Sequence, residues 1–107
     1  MLTDPVPIDP EEYVEAVLTV VEAVPRGRVT SYGAIAAVVG SGPRRVGNVM
    51  ARHAGPVPWW RVVRADGSLP PVHEAGARPH YLEEGTPLRA SGAVDIRAAF
   101  WDPETRS

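Results

Sequence analysis

Between residues 23 and 65 the chain places seven arginines (Arg26, Arg28, Arg44, Arg45, Arg52, Arg61 and Arg64) and no acid, with Trp59 and Trp60 in the same window. All thirteen acids lie outside it with four arginines, so a formal net charge of −2 divides into +7 for the window and −9 for the rest. Cations interleaved with aromatics suit a polyanion whose bases can be splayed out and stacked. An ordinary solvated face is the alternative reading of such a run. Lysine is absent, so every basic group is a planar fork able to bind phosphate bidentately and to stack on a base. Conventional catalysis finds little to work with. Cysteine is absent, which removes disulfides, thiolate metal sites and thiol nucleophiles. His53, His73 and His80 have no metal-ligand spacing, and neither a GxxxxGK[ST] nor a GxGxxG phosphate loop occurs. Ser31 and Ser41 lack a His-and-acid constellation.

These residues need a scaffold. A length of 107 residues predicts one domain over 1–107, with an ordered core from about 9 to 103. Hydrophobic content of 44% and a charged fraction of 22% fit a soluble globular protein. There is no signal-like segment and no apolar run near the roughly 20 residues a bilayer span requires. A cytoplasmic protein, nucleoid-associated when bound to DNA and without membrane contact, is expected.

Residues 1–8 read as a loose lead-in. Asp9-Pro10-Glu11-Glu12 reads as a helix start, with Asp9 as N-cap, Pro10 in the first position and Glu12 at capping-box spacing. Val14, Val17, Leu18, Val21 and Val24 form its buried stripe, and the helix ends before Pro25. Thr30 or Ser31 caps a second helix that runs to about Val39 and closes at Gly40. Pro43 opens a third to about His53. Ile35, Ala36 and Val39 face Val46, Val49 and Met50, which makes a helix-turn-helix whose second helix carries Arg44, Arg45 and Arg52. Residues 60–69 read as a hairpin around Asp66-Gly67, residues 72–78 as a polar loop, and Pro79–Glu84 as a short helix closed by Gly85. Val94–Arg97 reads as extended, with Phe100-Trp101 docking on the core.

Three segments, taken in order, carry a resemblance. Val24-Pro25-Arg26-Gly27-Arg28-Val29-Thr30-Ser31-Tyr32-Gly33-Ala34-Ile35-Ala36 resembles the iP-x-G-x-V-x-(S/T)-Y-G-x-(L/I)-A segment of the DNA-binding domain of O6-alkylguanine-DNA alkyltransferases. Arg44-Arg45-Val46-Gly47-Asn48-Val49-Met50 looks like that family's recognition helix. Pro58-Trp59-Trp60-Arg61-Val62-Val63 falls where the family has Pro-Cys-His-Arg-Val. The resemblance covers about residues 10–85 and is strongest to the alkyltransferase-like (ATL) subfamily, in which the acceptor cysteine is replaced, usually by tryptophan. It implies a small α/β, winged-helix-like helix-turn-helix domain with a short β-hairpin, of the alkyltransferase C-terminal type.

The resemblance also assigns roles. Trp59 takes the place of the alkyl-accepting cysteine, and an indole forms no thiolate. Trp60 replaces the histidine that would activate that cysteine, and it either borders the pocket or packs. Pro58, Trp59 and Tyr32 border the lesion pocket, a core-packing role being the alternative for Tyr32. Arg44 enters the base stack in place of the extruded nucleotide, or else contacts a phosphate. Arg45 is the expected phosphate contact, and Gly47 lets the helix backbone approach the DNA. Thr30 and Ser31 offer hydroxyls and N–H groups to a phosphate. An arginine that some members place after the hairpin turn is missing from Pro70-Pro71-Val72, and Arg64 or Arg78 stands as substitute.

The function so implied is non-catalytic recognition of O6-alkylguanine in duplex DNA, through the minor groove and by nucleotide flipping. Partners would be lesion-containing double-stranded DNA and nucleotide excision repair proteins. A monomer suffices, and no metal or cofactor is implied. Two rivals stand beside it. A helix-turn-helix transcriptional regulator would read undamaged DNA through the major groove. A glycosylase would need an activated water and a placed acid, and Asp66 is the one acid near the pocket segment.

Overall fold

Asp9 opens the first helix, its carboxylate accepting the Glu11 N–H at 3.1 Å, and Pro10 occupies the first turn. The computed structural model describes residues 9–104, so the lead-in expected over 1–8 lies outside the described residues. Helix α1 (Pro10–Ala23) is followed by β1 (Thr30–Ser31), α2 (Tyr32–Val39), α3 (Pro43–His53), a 3-10 turn (Trp59–Arg61), β2 (Val62–Val63), α4 (Pro71–Glu84) and α5 (Ile96–Ala99). Val17, Val21 and the capping Val24 are buried as expected; Tyr13 and Val20 join them, while Val14 and Leu18 are only half-buried. The stripe is therefore turned toward Tyr13, whose hydroxyl donates to the Gly40 carbonyl at 3.2 Å.

Two apolar clusters result. The first packs α1, α2 and α3 with Val57 and Val62. The second gathers Val29, Val63, Leu69, Ala77, Tyr81, Val94 and Ala99, and Trp59 packs against both. The helix-turn-helix and the mixed helical fold with a small sheet are present, but the expected hairpin is not. Trp59–Arg61 coils into a 3-10 turn, and Val62-Val63 pairs in parallel with β1, Thr30 beside Val62 and Ser31 beside Val63. The physical reason is burial on both faces. Val62 belongs to the first cluster and Val63 to the second, both without exposure, whereas a surface hairpin leaves one face to solvent. The Asp66-Gly67 turn survives, with the Gly67 N–H donating to the Arg64 carbonyl at 2.8 Å. Gly67 sits at φ +87°, where an added Cβ would strike the Val94 carbonyl.

Residues 72–78 are helix rather than loop, since α4 runs unbroken from Pro71 through Pro79. A proline in a helix interior costs about 3 kcal/mol, and tertiary anchoring offsets it. Ala77 and Tyr81 are buried, and the Tyr81 hydroxyl donates to the Trp60 carbonyl at 2.6 Å. The tail differs as well. Val94 bridges Leu88 and Asp95 keeps an extended backbone while capping α5, so only Ile96 and Arg97 turn helical instead of extending. Phe100-Trp101 docks through its backbone: Trp101 N–H donates to the Val29 carbonyl at 2.7 Å, while both rings stay half-buried.

Candidate nucleic-acid interface

The Ser31 hydroxyl accepts the Ala34 N–H at 3.0 Å and starts α2 at Tyr32. Gly40, at φ +91°, reverses the chain, and Gly42-Pro43 starts α3. Burial of Ile35, Ala36, Val46 and Val49 locks the helices together and turns Arg44, Arg45, Asn48 and Arg52 outward. Arg52 and His53 in the last turn of α3 suit the helix dipole; Arg44 and Arg45 in the first turn oppose it, an unfavourable placement of roughly 0.3–1 kcal/mol each. Arg45 offsets part of this through its contacts with Tyr13 and Ser41, whereas Arg44 is exposed.

Beside α3 opens a cavity of about 470 Å³, with Tyr32, Gly47, Met50, Trp59, Pro70 and His73 among its lining, within the usual range for ligand sites. A shallower cavity of about 340 Å³ shares Tyr32, Gly47 and Pro70 with it and carries Arg44 and Arg64. Trp59 is fixed by the turn that bears it. Its N–H donates to the Val57 carbonyl at 2.7 Å, and its ring meets Trp60 edge-on at 5.7 Å and His73 at 5.4 Å. Gly76 of α4 lies where an added Cβ would be 3.5 Å from the indole, so the helix passes close behind the ring. Gly47 has nothing within 4 Å of an added Cβ, which leaves bare backbone facing the open space. Burial raises the Tyr32 phenol above its ordinary pKa, with the Arg64 charge acting the other way. Tyr32 thus remains an O–H donor.

Trp60, for which pocket and packing roles stood open, packs. It stacks on His80 at 3.6 Å and 5° and donates its indole N–H to Glu84 at 3.0 Å. Arg64 stays exposed in the shallower cavity. Pro58 is not among the residues lining either cavity; its carbonyl accepts the Arg61 N–H at 3.0 Å and starts the turn that presents Trp59. Thr30 is a further correction. It has no exposure, because it is the strand residue paired with Val62 between the clusters, so its hydroxyl cannot reach a phosphate. Ser31 is half-buried and its hydroxyl is engaged in the cap. Arg45 is exposed but folds back, its guanidinium 4.1 Å above the Tyr13 ring and donating to Ser41 at 3.3 Å.

Sequence reasoning missed Met50, Pro70 and His73 as cavity residues; the last two frame it only because α4 begins at Pro71. It also missed the role of Arg61, which donates to Glu84 through Nη2 at 2.6 Å and Nε at 3.2 Å, and to the Val24 carbonyl at 2.9 Å. Glu84 accepts the Gly27 N–H at 3.0 Å as well. Burial pushes the Glu84 pKa up, but the bonds from Arg61, Gly27 and Trp60, with the Arg61 charge, outweigh it and hold the carboxyl below its ordinary range. This cluster locks the turn to α4. Among the described residues no three His, Asp or Glu side chains converge as metal ligands, and no helix is long and apolar enough to cross a membrane.

The sequence profile of the 6-O-methylguanine DNA methyltransferase DNA-binding domain matches residues 12–84. The DNA base-flipping protein of Escherichia coli is 34% identical over 98 residues, spanning 86% of this chain and 76% of that protein. The crystal structure of Schizosaccharomyces pombe Atl1 with DNA containing O6-carboxymethylguanine superposes with a TM-score of 0.77 at 26% identity, covering 88% of this chain and 98% of Atl1. A variant of the Mycobacterium tuberculosis O6-methylguanine methyltransferase superposes with a TM-score of 0.60 at 26% identity, covering 75% of this chain and 53% of that one.

Proposed function

Because the chain belongs to the family of 6-O-methylguanine DNA methyltransferase DNA-binding domains, as an alkyltransferase-like protein, we propose that it recognises alkylated guanine in duplex DNA by flipping the nucleotide and performs no alkyl transfer. The observation that carries the reading is that the indole of Trp59, which the resemblance sets at the family's nucleophile position, lines a cavity of about 470 Å³ beside α3, roomy enough to admit a purine. Helix α3 lies in the minor groove, with Gly47 letting the backbone approach. Arg44 fills the vacated space in the base stack, where a planar guanidinium can bond the orphaned partner base. Extrusion costs a few kcal/mol, less for a damaged pair. The Tyr32 hydroxyl meets the rotating nucleotide, and Trp59 receives the O6-alkyl group. A buried methyl or methylene is worth about 0.8 kcal/mol, roughly fourfold in affinity over guanine before the weaker pairing of the lesion is added.

Transfer requires a thiolate acceptor, and the chain has no cysteine. Where the family has an activating histidine, Trp60 instead serves the Glu84 cluster. The protein acts as a single monomeric domain, and its complex marks the lesion for nucleotide excision repair.

A competition between identical duplexes carrying O6-methylguanine or guanine tests the reading. The lesion duplex should win by at least fourfold, and Trp59→Ala should erode that margin while the protein stays folded by circular dichroism. Equal affinity for both duplexes would instead favour a regulator of undamaged DNA. Reconstituted nucleotide excision on the lesion duplex should rise with added protein; no rise removes the repair link and leaves recognition standing.

A further inference from the structure

The cavity beside Trp59 holds more polarity than an alkyl group requires. Arg52, in the last turn of α3, and His73, in the first turn of α4, both line it, and none of the described lining residues is acidic. Both side chains are exposed, and the ion pair found among the described residues, Arg61–Glu84, involves neither. The His73 ring lies 5.4 Å from the Trp59 ring and tilted by 47°, so imidazole and indole border the same space. No carboxylate competes for the two donors inside the cavity. Tyr32, from α2, is an O–H donor there. Glu74, beside His73 in sequence, lines a separate cleft with Arg78. His80 is stacked on Trp60, and Arg64 lines the shallower cavity.

An anionic substituent moved from water into a half-enclosed site loses affinity unless donors replace its hydration. A guanidinium can do this with two parallel bonds to a carboxylate, and an imidazole can add one. We propose that Arg52 and His73 are specificity-determining residues that make this cavity favour O6-guanine adducts ending in a carboxylate over neutral alkyl adducts of similar size. The proposal rests on the damage-recognition reading above and names the adduct class that the site selects.

The test is a three-way competition among duplexes containing O6-carboxymethylguanine, O6-propylguanine and guanine. The carboxymethyl duplex should outcompete the propyl duplex by roughly two- to fivefold, the size that partly exposed charge pairs reach. Arg52→Gln and His73→Gln should each bring that ratio toward one, and Arg52→Lys should restore part of it. Both positions are exposed, and circular dichroism checks that each variant is folded. A wild-type ratio of one, or a ratio that neither substitution moves, overturns the proposal. Loss of affinity for both adducts in equal measure on Arg52→Gln would assign that residue to the DNA backbone and overturn its part in selection. Binding of both adducts no better than guanine would instead remove the damage-recognition reading itself.

Discussion

Two residues separate what folds this protein from what it does. Thr30 lies on the motif strand, yet its hydroxyl is buried and finds no hydrogen-bond partner among the described residues. An unpaired buried hydroxyl costs about 1–3 kcal/mol, so Thr30→Val, which keeps the shape, should raise the urea midpoint by the equivalent of about 1 kcal/mol and leave DNA affinity unchanged. Loss of DNA binding would return Thr30 to the interface. Gly47 is the opposite case. Glycine inside a helix is about 0.5–1 kcal/mol worse than alanine, and a Cβ there meets nothing. Gly47→Ala should therefore stabilise the fold by that amount while weakening DNA binding, because in the proposed docking the methyl would stand between α3 and the groove. Stabilisation without weaker binding would remove the close backbone approach.

At the scale of elements, the site depends on a turn and a helix that meet at one carboxylate. The Glu84 side chain is 2% exposed and accepts from Gly27, Trp60 and Arg61, tying the loop after α1 and the Trp59–Arg61 turn to α4. Taking one partner from a buried ion pair costs about 3–5 kcal/mol, so Glu84→Gln should lower stability by about 3 kcal/mol in urea unfolding. The pH dependence has a definite sign. A carboxyl held below its ordinary value of 4.5 contributes stability fully above that value and loses it as pH falls through the lower folded value. Wild type should lose stability below about pH 4.5, and Glu84→Gln should flatten part of that loss. Asp66, fully exposed and also shifted down by accepting from Ser68, accounts for some of what remains. An unchanged acid profile in Glu84→Gln would remove Glu84 as the carboxylate responsible. The first half of α4 was hidden in the sequence because Pro79 reads as a helix start, and buried Ala77 and Tyr81, the Trp60 carbonyl and the Glu84 bonds hold the helix across that proline.

Across the whole molecule, the arginine window divides by what its members touch. Arg28 donates to the Ala99 and Phe100 carbonyls and Arg61 to Glu84, so these two serve the fold. Arg26, Arg44, Arg45, Arg52 and Arg64 remain exposed. Each phosphate neutralised contributes about −0.9 to the slope of log affinity against log salt. The slope should therefore be no steeper than about −4.5, and Arg45→Gln should flatten it by about one. A slope near −6, from titrations at several salt concentrations, would mean that cations beyond these five also reach the DNA.

The helix-turn-helix, its caps, the arginine face and the loss of the nucleophile were legible without coordinates, since each is a matter of residue type or of spacing within a few positions. Asp9, Ser31, Gly40 and Pro43 act where they stand in the chain. The parallel pairing of Val62-Val63 with β1, the cavity wall at Pro70 and His73, the turn of Trp60 toward Glu84 and the burial of Thr30 were not. They arise from contacts such as Gly27 with Glu84, 57 positions apart, and local sequence encodes neither which of two cores will claim a valine nor which helix will close a cavity.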